Sequence, residues 1–127
     1  EYPVPKLVLQ PIIENCIYHG LRQKSENCVI KIHIYTTQAH FFISVSDNGV
    51  GMDKARLKHM NDCFQGDVYT VNQGIDSKYH STGVALINVN SRIRLIYGDN
   101  YGLTVYSSPG IGTETLITLP LHYEPAT

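Results

Sequence analysis

The feature that most constrains the fold is a short alternating segment that ends in an acidic residue. From Phe41 to Ser46, apolar and polar side chains alternate as they do in a β-strand with one buried face. Asp47 has the parity of the apolar side chains, so the strand delivers a carboxylate to the buried face. An unpaired buried carboxylate is costly and must find hydrogen-bond donors. Protein groups, water or the exocyclic amine of a purine could supply them.

Two glycines follow this acid at once. Gly49 and Gly51 carry no side chain, so they would let a flat ring approach the backbone closely. The segment Asp47-Asn48-Gly49 is also an ordinary turn sequence, and on its own it fits a plain turn equally well. The rest of the chain has to decide between these two interpretations.

The chain has 127 residues, a formal net charge of −1 and three cysteines. This length predicts one domain with a single core. The small net charge provides no general attraction to nucleic acid or to an acidic membrane, so we expect no nucleic-acid partner. An odd number of cysteines without a close pair argues against a disulfide framework and against a zinc site, and it favours a reducing cytoplasm.

The chain shows no sign of a membrane segment of its own. No apolar stretch approaches membrane-spanning length, and the start has no signal-peptide pattern. The first five residues instead resemble a linker leading out of an upstream region. We therefore expect a domain cut from a longer protein, with any membrane anchor in upstream segments.

A helical pattern extends from Pro5 to about Lys24. Its apolar face is formed by residues spaced four apart and by two flanking side chains: Leu9, Ile13, Ile17, Leu21, Ile12 and Cys16. Pro11 belongs either to the opening turn or to a kink. The opposite face carries a polar stripe dense in ligand-type side chains, namely Glu14, Asn15, Tyr18, His19 and Arg22. A solvated face is the alternative explanation of that stripe.

Two more helices and four strands follow. The predicted strands span residues 29–36, 41–46, 103–108 and 113–119, and the helices span residues 52–64 and 83–97. In the first strand, Ile30, Ile32 and Ile34 form the buried face. Residues 66–82 lack periodicity, which indicates a functional lid or a disordered loop. The sum is an α+β fold: a two-layer α/β sandwich with a mixed, mostly antiparallel sheet and about three helices on one face.

Several common sites are excluded by their spacing. The Asp47 segment fails the EF-hand pattern, because the closing glutamate position holds Lys58. No Walker-type Gly-Lys-Ser/Thr is present, and neither Gly-x-Gly pair has the third glycine of a dinucleotide-binding loop. The chain also lacks a His-Glu-x-x-His pair and a Gly-x-Ser-x-Gly elbow.

The order of the remaining features favours a ligand site. A helix bearing Asn15 comes first, followed by the Asp47 strand exit and the long polar loop. Gly83 then opens a helix whose backbone N–H groups and dipole suit phosphate. Gly112 and Thr113 form a small pair at the entry to a strand. A purine site, a lid and a phosphate site are thus predicted in one chain.

With these segments the chain resembles the ATP-binding catalytic domain of two-component sensor histidine kinases. This domain belongs to the GHKL superfamily, which also holds gyrase, Hsp90 and MutL, and the LytS/YesM-like branch is the most similar. Residues 9–20 are close to the N box of that branch, and residues 47–52 resemble its first glycine box. Residues 83–89 with Arg92 are similar to the second glycine box, and residues 110–120 to the last. The resemblance implies the Bergerat-type sandwich.

The resemblance also implies the ligands Mg²⁺ and ATP, and a role for each matched position. Asn15 would coordinate Mg²⁺ through its side-chain oxygen, a hard ligand for a hard ion. Asp47 would accept from the adenine amine, with Thr113 nearby directly or through water. Tyr18 and His19 would lie along the phosphates or the adenine edge.

The implied phosphate end of the site lies around the lid. Residues 66–82 would be the ATP lid, with Lys78 or His80 as phosphate contacts, and the start of the following helix would offer backbone N–H groups. Beyond the residues named so far, the implied ATP site includes Gly49, Gly51, Met52, Ser81, Thr82, Gly83, Val84, Ala85 and Leu86.

Two departures from the family pattern bear on activity. Ala85 stands where the second glycine box usually has another glycine, which would crowd the backbone near the phosphates. Pro11 stands where ATPases of the superfamily place a water-activating glutamate, one helical turn before Asn15. Glu14 and His19 are the remaining candidate catalytic side chains. A site without that base suits phosphoryl transfer to a protein better than hydrolysis.

The phosphoacceptor histidine is missing from the sequence. In the family it lies upstream in a Pro-His-Phe context, which none of the six histidines has. The resemblance implies a cytoplasmic domain of a membrane-anchored bacterial sensor that is a homodimer at full length, with a response regulator downstream. The alternatives are a degenerate nucleotide-binding signalling module, which Ala85 supports, and an ATPase or serine-kinase relative, of which Pro11 disfavours the ATPase.

Overall fold

The computed structural model describes residues 6–17, 27–65 and 80–121. In chain order the elements are α1 (Lys6–Asn15), β1 (Ile30–Thr36), β2 (His40–Asp47), α2 (Lys54–Gln65), α3 (His80–Tyr97), β3 (Gly102–Ser108) and β4 (Gly112–Pro120). The predicted α+β class, with four strands and three helices, is confirmed. None of the helices in these ranges is long and apolar enough to cross a membrane.

The four strands form one antiparallel sheet in the order β1-β2-β4-β3. Alternate side chains in the middle of the three strands β2, β4 and β3 point to the same face and are buried, as their parity predicts. The helices cover this face, and the core between the two layers contains Ile43, Val45, Leu103, Val105, Ile117, Leu119, Met60, Phe64, Leu86, Val89 and Ile93. The predicted two-layer sandwich is therefore confirmed, although the described sheet is wholly antiparallel.

Helix α1 departs from the predicted regular helix at its last described turn. Its α-helical part ends at Asn15, and the chain widens into a π-type turn at Cys16 and Ile17. Ile12 and Cys16 are buried as expected, but Ile17 is 52% exposed. The predicted inward position of Ile17 is wrong because the wider turn rotates that side chain away from the buried face. Leu21 and the rest of the predicted helix lie outside the described residues.

Strand β1 corrects a second expectation. The register pairs Ile32 with Val45 and Ile34 with Ile43, so the isoleucines do point to the helix-covered side. They are nevertheless 48% and 56% exposed. The parity was right and the burial was wrong, because β1 is an edge strand and the described helices lie over β3 and β4 instead.

The opposite sheet edge, β3, is covered by asparagine side chains from two helices. Asn61 of α2 donates to the carbonyl of Val105 at 2.9 Å and accepts the Val105 N–H at 3.0 Å. Asn90 of α3 accepts the Leu103 N–H at 2.9 Å and donates to the carbonyl of Phe64 at 2.9 Å. These side chains satisfy backbone groups that an edge strand would otherwise expose.

Candidate functional site

The site is built on one row of side chains that crosses the sheet. Asp47 at the end of β2 pairs with Thr113 of β4, which in turn pairs with Ser107 of β3. All three have the parity of the buried core residues of their strands, so they lie on the helix-facing side. Directly opposed residues on one face hold their Cβ atoms about 4.5–5.5 Å apart. Three oxygen-bearing side chains therefore meet where the sheet ends.

Asp47 is half-buried, and two kinds of donor meet its carboxylate. Oδ1 accepts the backbone N–H of Gly49 at 2.8 Å, which turns the chain after the strand. On the helix side the carboxylate faces the thiol of Cys16, the residue that follows Asn15. Burial raises the pKa of Cys16 to about 12, and the charge of Asp47 and a hydrogen bond to it add to the rise. The thiol therefore stays protonated beside the acid.

Two glycines bring the segment after Asp47 against the β3–β4 hairpin. Gly51 has a φ of 73°, and a Cβ there would overlap the carbonyl oxygen of Ser108. Gly112 has a φ of 144°, and a Cβ there would overlap the carbonyl oxygen of Asp47. The absence of a side chain at Gly51 is thus required by the protein's own backbone, whether or not a ring also approaches.

Ser107 joins these pieces through its hydroxyl. Its Oγ accepts the backbone N–H of Met52 at 2.8 Å and lies 2.8 Å from the carbonyl oxygen of Gly112. The same Oγ lies 2.9 Å from Oγ1 of Thr113. One hydroxyl therefore connects the segment after β2, the hairpin turn and the side chain next to Asp47.

Asn15 carries an unusual atom for a folded protein. Its Oδ1 is buried and has no hydrogen-bond partner in the part of the chain that the structure describes. Such orphaned acceptors are rare and costly, so each one calls for an explanation. Asn15 is the last residue of α1, and its neighbour Cys16 faces Asp47 of β2. The orphaned oxygen therefore lies at the end of α1 that is next to Asp47.

The comparisons with known proteins identify the family of this arrangement. The family model described as histidine kinase-, DNA gyrase B- and HSP90-like ATPase matches residues 4–123. The chain belongs to this family. The nucleotide that its members' domain binds is ATP.

The curated relatives agree with the resemblance seen in the sequence. The chain is 32% identical over 121 residues to the sensor histidine kinase YesM of Bacillus subtilis (strain 168), which covers 95% of this chain and 18% of that protein. It is 28% identical over 117 residues to the sensor protein LytS of Bacillus anthracis, covering 92% of this chain and 18% of that protein. The chain thus spans about a fifth of the length of these relatives, and the LytS/YesM-like resemblance is confirmed.

A solved structure supports the fold. The histidine kinase domain of the blue-light activated histidine kinase of Erythrobacter litoralis EL346 aligns with a TM-score of 0.57 at 17% identity. The alignment covers 91% of this chain and 45% of that one. At this identity the likeness speaks for the fold alone, which is the ATPase-domain sandwich.

Within this family domain, the predicted nucleotide residues divide into two groups. The structure brings Asp47, Gly49, Gly51, Met52 and Thr113 together at the end of β2, with Cys16 and the end of α1 facing them. Met52 is buried with its side chain in the core. Glu14 is exposed. Tyr18, His19 and Lys78 lie outside the described residues, so their roles stay predictions.

The start of α3 differs from its prediction. The helix begins at His80, not at Gly83, so Thr82 and Gly83 lie in its first turn. Val84 is the fifth residue, and an α-helix uses the N–H of that position internally. Val84 therefore lies one turn further into the helix than predicted, and the phosphate roles of Ser81, Thr82, Gly83 and Val84 stay predictions. Ala85 is half-buried and Leu86 belongs to the core.

Sequence reasoning missed Ser107 altogether. Its parity matches that of Leu103 and Val105, so the strand pattern already placed it on the buried side. The signal that could have found it is its position opposite Thr113, which follows if the hairpin turn has three residues, 109–111. Asn48 was likewise not singled out, yet its Oδ1 accepts the Val29 N–H at 2.8 Å and fixes the entry to β1.

Proposed function

We propose that this chain is the ATP-binding catalytic domain of a sensor histidine kinase, which binds Mg-ATP and presents its γ-phosphate to a histidine on a separate domain. The observation that carries the proposal is the position of the Asp47 carboxylate on the helix-facing side of the sheet, opposite Thr113. A half-buried carboxylate next to a second oxygen is suited to hold an amino group.

The adenine end of the site follows from the unused acceptor capacity of Asp47. An ionised carboxylate has about four lone-pair positions, and the Gly49 N–H and the Cys16 thiol occupy two of them. No cationic side chain pairs with Asp47 in the described parts of the chain. The exocyclic amine of adenine is a donor of the right kind for the remaining positions, and Thr113 lies beside it.

The residues present fit a magnesium ion near Asn15. Its Oδ1 is buried and has no partner among the described residues, and an amide oxygen is a ligand that Mg²⁺ accepts alongside substrate phosphates and waters. When bound, the ion neutralises charge on the phosphates and so favours transfer of the terminal group. Asn15 would hold it from the end of α1, which Ile12 and Cys16 anchor in the core.

Phosphoryl transfer to a protein fits the chain better than hydrolysis. Pro11 occupies the position of the water-activating glutamate of the ATPases and cannot remove a proton. Glu14 is exposed on α1 and adjacent to Asn15, so it does not replace that base. The contribution of the domain is then the positioning of ATP, and the acceptor comes from elsewhere.

The partners follow from the same proposal. The relatives are named as sensor kinases and sensor proteins. By analogy, this chain works with an upstream domain that carries the phosphoacceptor histidine and forms the homodimer, and with a response regulator downstream. Membrane anchoring would belong to those upstream segments.

Calorimetric titration of the 127-residue chain with ATP tests the first half of the proposal. A saturable heat of binding is expected, with a higher affinity for ATP when Mg²⁺ is present. The absence of heat at millimolar nucleotide would refute ATP binding. The second half is tested by following labelled γ-phosphate in the whole sensor. Label on a histidine of the upstream domain supports a kinase, whereas free phosphate as the main product supports an ATPase and no turnover supports a non-catalytic module.

A further inference from the structure

The hydroxyl of Ser107 has three hydrogen-bond neighbours, although it can donate only one hydrogen bond. Its Oγ lies 2.8 Å from the Met52 nitrogen, 2.8 Å from the Gly112 carbonyl oxygen and 2.9 Å from Oγ1 of Thr113. A hydroxyl supplies one donor and two acceptor lone pairs. The three neighbours therefore match the full capacity of this group.

The direction of each bond follows by counting protons. The Met52 N–H can only donate, and the Gly112 carbonyl can only accept. Ser107 must therefore accept from Met52 and give its single proton to Gly112. Its second lone pair remains for Thr113, and the bond between the two hydroxyls can form only if Thr113 donates.

This assignment fixes what Thr113 can offer to a ligand. Once its proton is directed to Ser107, Oγ1 of Thr113 has only lone pairs left. Asp47, in register on the neighbouring strand, is also an acceptor. A Thr113 hydroxyl free to rotate would instead donate to that carboxylate, because a bond to a charged acceptor is the stronger one.

We infer that Ser107 is a positioning residue that makes Thr113 an acceptor and thereby sets the specificity of the site for a base with an amino group. The pair Asp47 and Thr113 then presents acceptors only, which suits an amine donor and rejects a carbonyl at the same position. The inference rests on the proposed function, since it assigns the two side chains to the adenine end of an ATP site.

A mutant cycle separates this role from a merely structural one. The affinities for ATP and for inosine triphosphate, which has a carbonyl in place of the amino group, are measured for the wild type, Ser107→Ala, Thr113→Val and the double variant. The matched control is Ser44→Ala. Ser44 is also a buried serine of this sheet, but it lies on the opposite face, where it donates to Glu114 at 2.5 Å.

Ser107→Ala is expected to lower the preference for ATP over inosine triphosphate by about threefold to tenfold, the range of one hydrogen bond. In the Thr113→Val background the same change should alter the preference less than about twofold, because the hydroxyl through which Ser107 acts is absent. Ser44→Ala should lower the melting temperature without changing the preference.

Two results would overturn the inference while leaving ATP binding intact: an unchanged preference in Ser107→Ala, or an equal change with and without the Thr113 hydroxyl. A wild-type chain that binds both nucleotides equally would refute the adenine assignment itself, and the inference with it. If Ser107→Ala does not fold, Ser107→Cys replaces it in the cycle, because a thiol keeps the volume but is a weak partner.

Discussion

At the scale of single residues, the site depends on atoms whose hydrogen bonds can be counted. Asp47 has acceptor capacity left over, Asn15 has a buried oxygen without a partner in the described residues, and Ser107 uses every donor and acceptor it has. The unused acceptors of Asp47 and Asn15 destabilise the protein without a ligand, and they become favourable when a ligand supplies a partner. Ser107 differs because its role lies in directing a neighbour.

Asn15 gives the first prediction. Asn15→Ala should remove the Mg²⁺-dependent part of ATP affinity, while the free energy of unfolding changes by less than about 0.5 kcal/mol, since the lost oxygen makes no hydrogen bond within the described residues. The measurement is ATP titration with Mg²⁺ and with EDTA. Gln10→Ala, an exposed change on the same helix, is the control and should keep the Mg²⁺ dependence. Equal Mg²⁺ dependence in both variants would contradict the assignment.

Gly51 gives a second prediction at this scale. Gly51→Ala should lower the free energy of unfolding by more than about 2 kcal/mol, because the new Cβ is both at positive φ and in contact with the Ser108 carbonyl. Gly110→Ala is a close match, since Gly110 has a φ of 77° but open space around it. It should cost only about 1 kcal/mol. Equal losses in urea unfolding would show that the close approach at Gly51 is unimportant.

At the scale of elements, side chains of the helices make hydrogen bonds to β3 of the kind that a neighbouring strand would make. Asn61 pairs with the backbone of Val105 as a neighbouring strand would, and Asn90 holds Leu103 and the end of α2 together. This ties α2 and α3 to the β3 edge and keeps the hairpin that carries Ser107 and Thr113 in a fixed position.

Asn61 can be tested by its loss. Asn61→Ala should lower the free energy of unfolding by about 1–3 kcal/mol, because both backbone groups of Val105 lose their partner. Lys58→Ala on the same helix removes only an exposed ion pair with Asp62 and should leave stability unchanged within error. The measurement is chemical denaturation of both variants. Equal stability of Asn61→Ala and Lys58→Ala would show that the asparagine bonds contribute nothing.

At the scale of the whole molecule, the two sheet edges are unequal. β3 is covered by asparagines, whereas β1 has exposed isoleucines and lies away from the described helices. Amide hydrogen exchange should therefore be slowest in the central strands β2 and β4 and clearly faster in β1. Exchange in β1 as slow as in β2 would show that this strand is held as firmly as the centre of the sheet.

The sequence predicted the parts of this molecule that depend on local periodicity. The side on which Asp47 lies and the burial of Cys16 both follow from neighbouring residues, and the structure agrees. Burial of Ile32 and Ile34 was predicted wrongly because it depends on which strand lies at the edge. In the described sheet β1 pairs only with β2, and the described helices lie over β3 and β4, neither of which a local pattern reveals.

In the candidate site, too, residues within local motifs could be predicted, whereas residues that act through distant contacts could not. Motif resemblance supplied Asp47 and Thr113, and the strand register places them side by side. Ser107 could not be recognised, because its importance depends on three bonds to groups that are distant in sequence or across a turn. The π-type turn at Cys16 and Ile17 also escaped prediction, since the apolar spacing continues through Ile17.

The most direct test of the ATP site is calorimetric titration of Asp47→Asn with Mg-ATP, next to Asp53→Asn. Both variants lose one negative charge, but Asp53 is exposed and caps α2 through the Arg56 N–H at 2.8 Å, a role that asparagine also fills. Asp47→Asn should bind ATP at least about tenfold more weakly with its fold intact, and Asp53→Asn should bind like the wild type. Full-strength binding by a folded Asp47→Asn variant would contradict the assignment of Asp47 as the adenine acceptor.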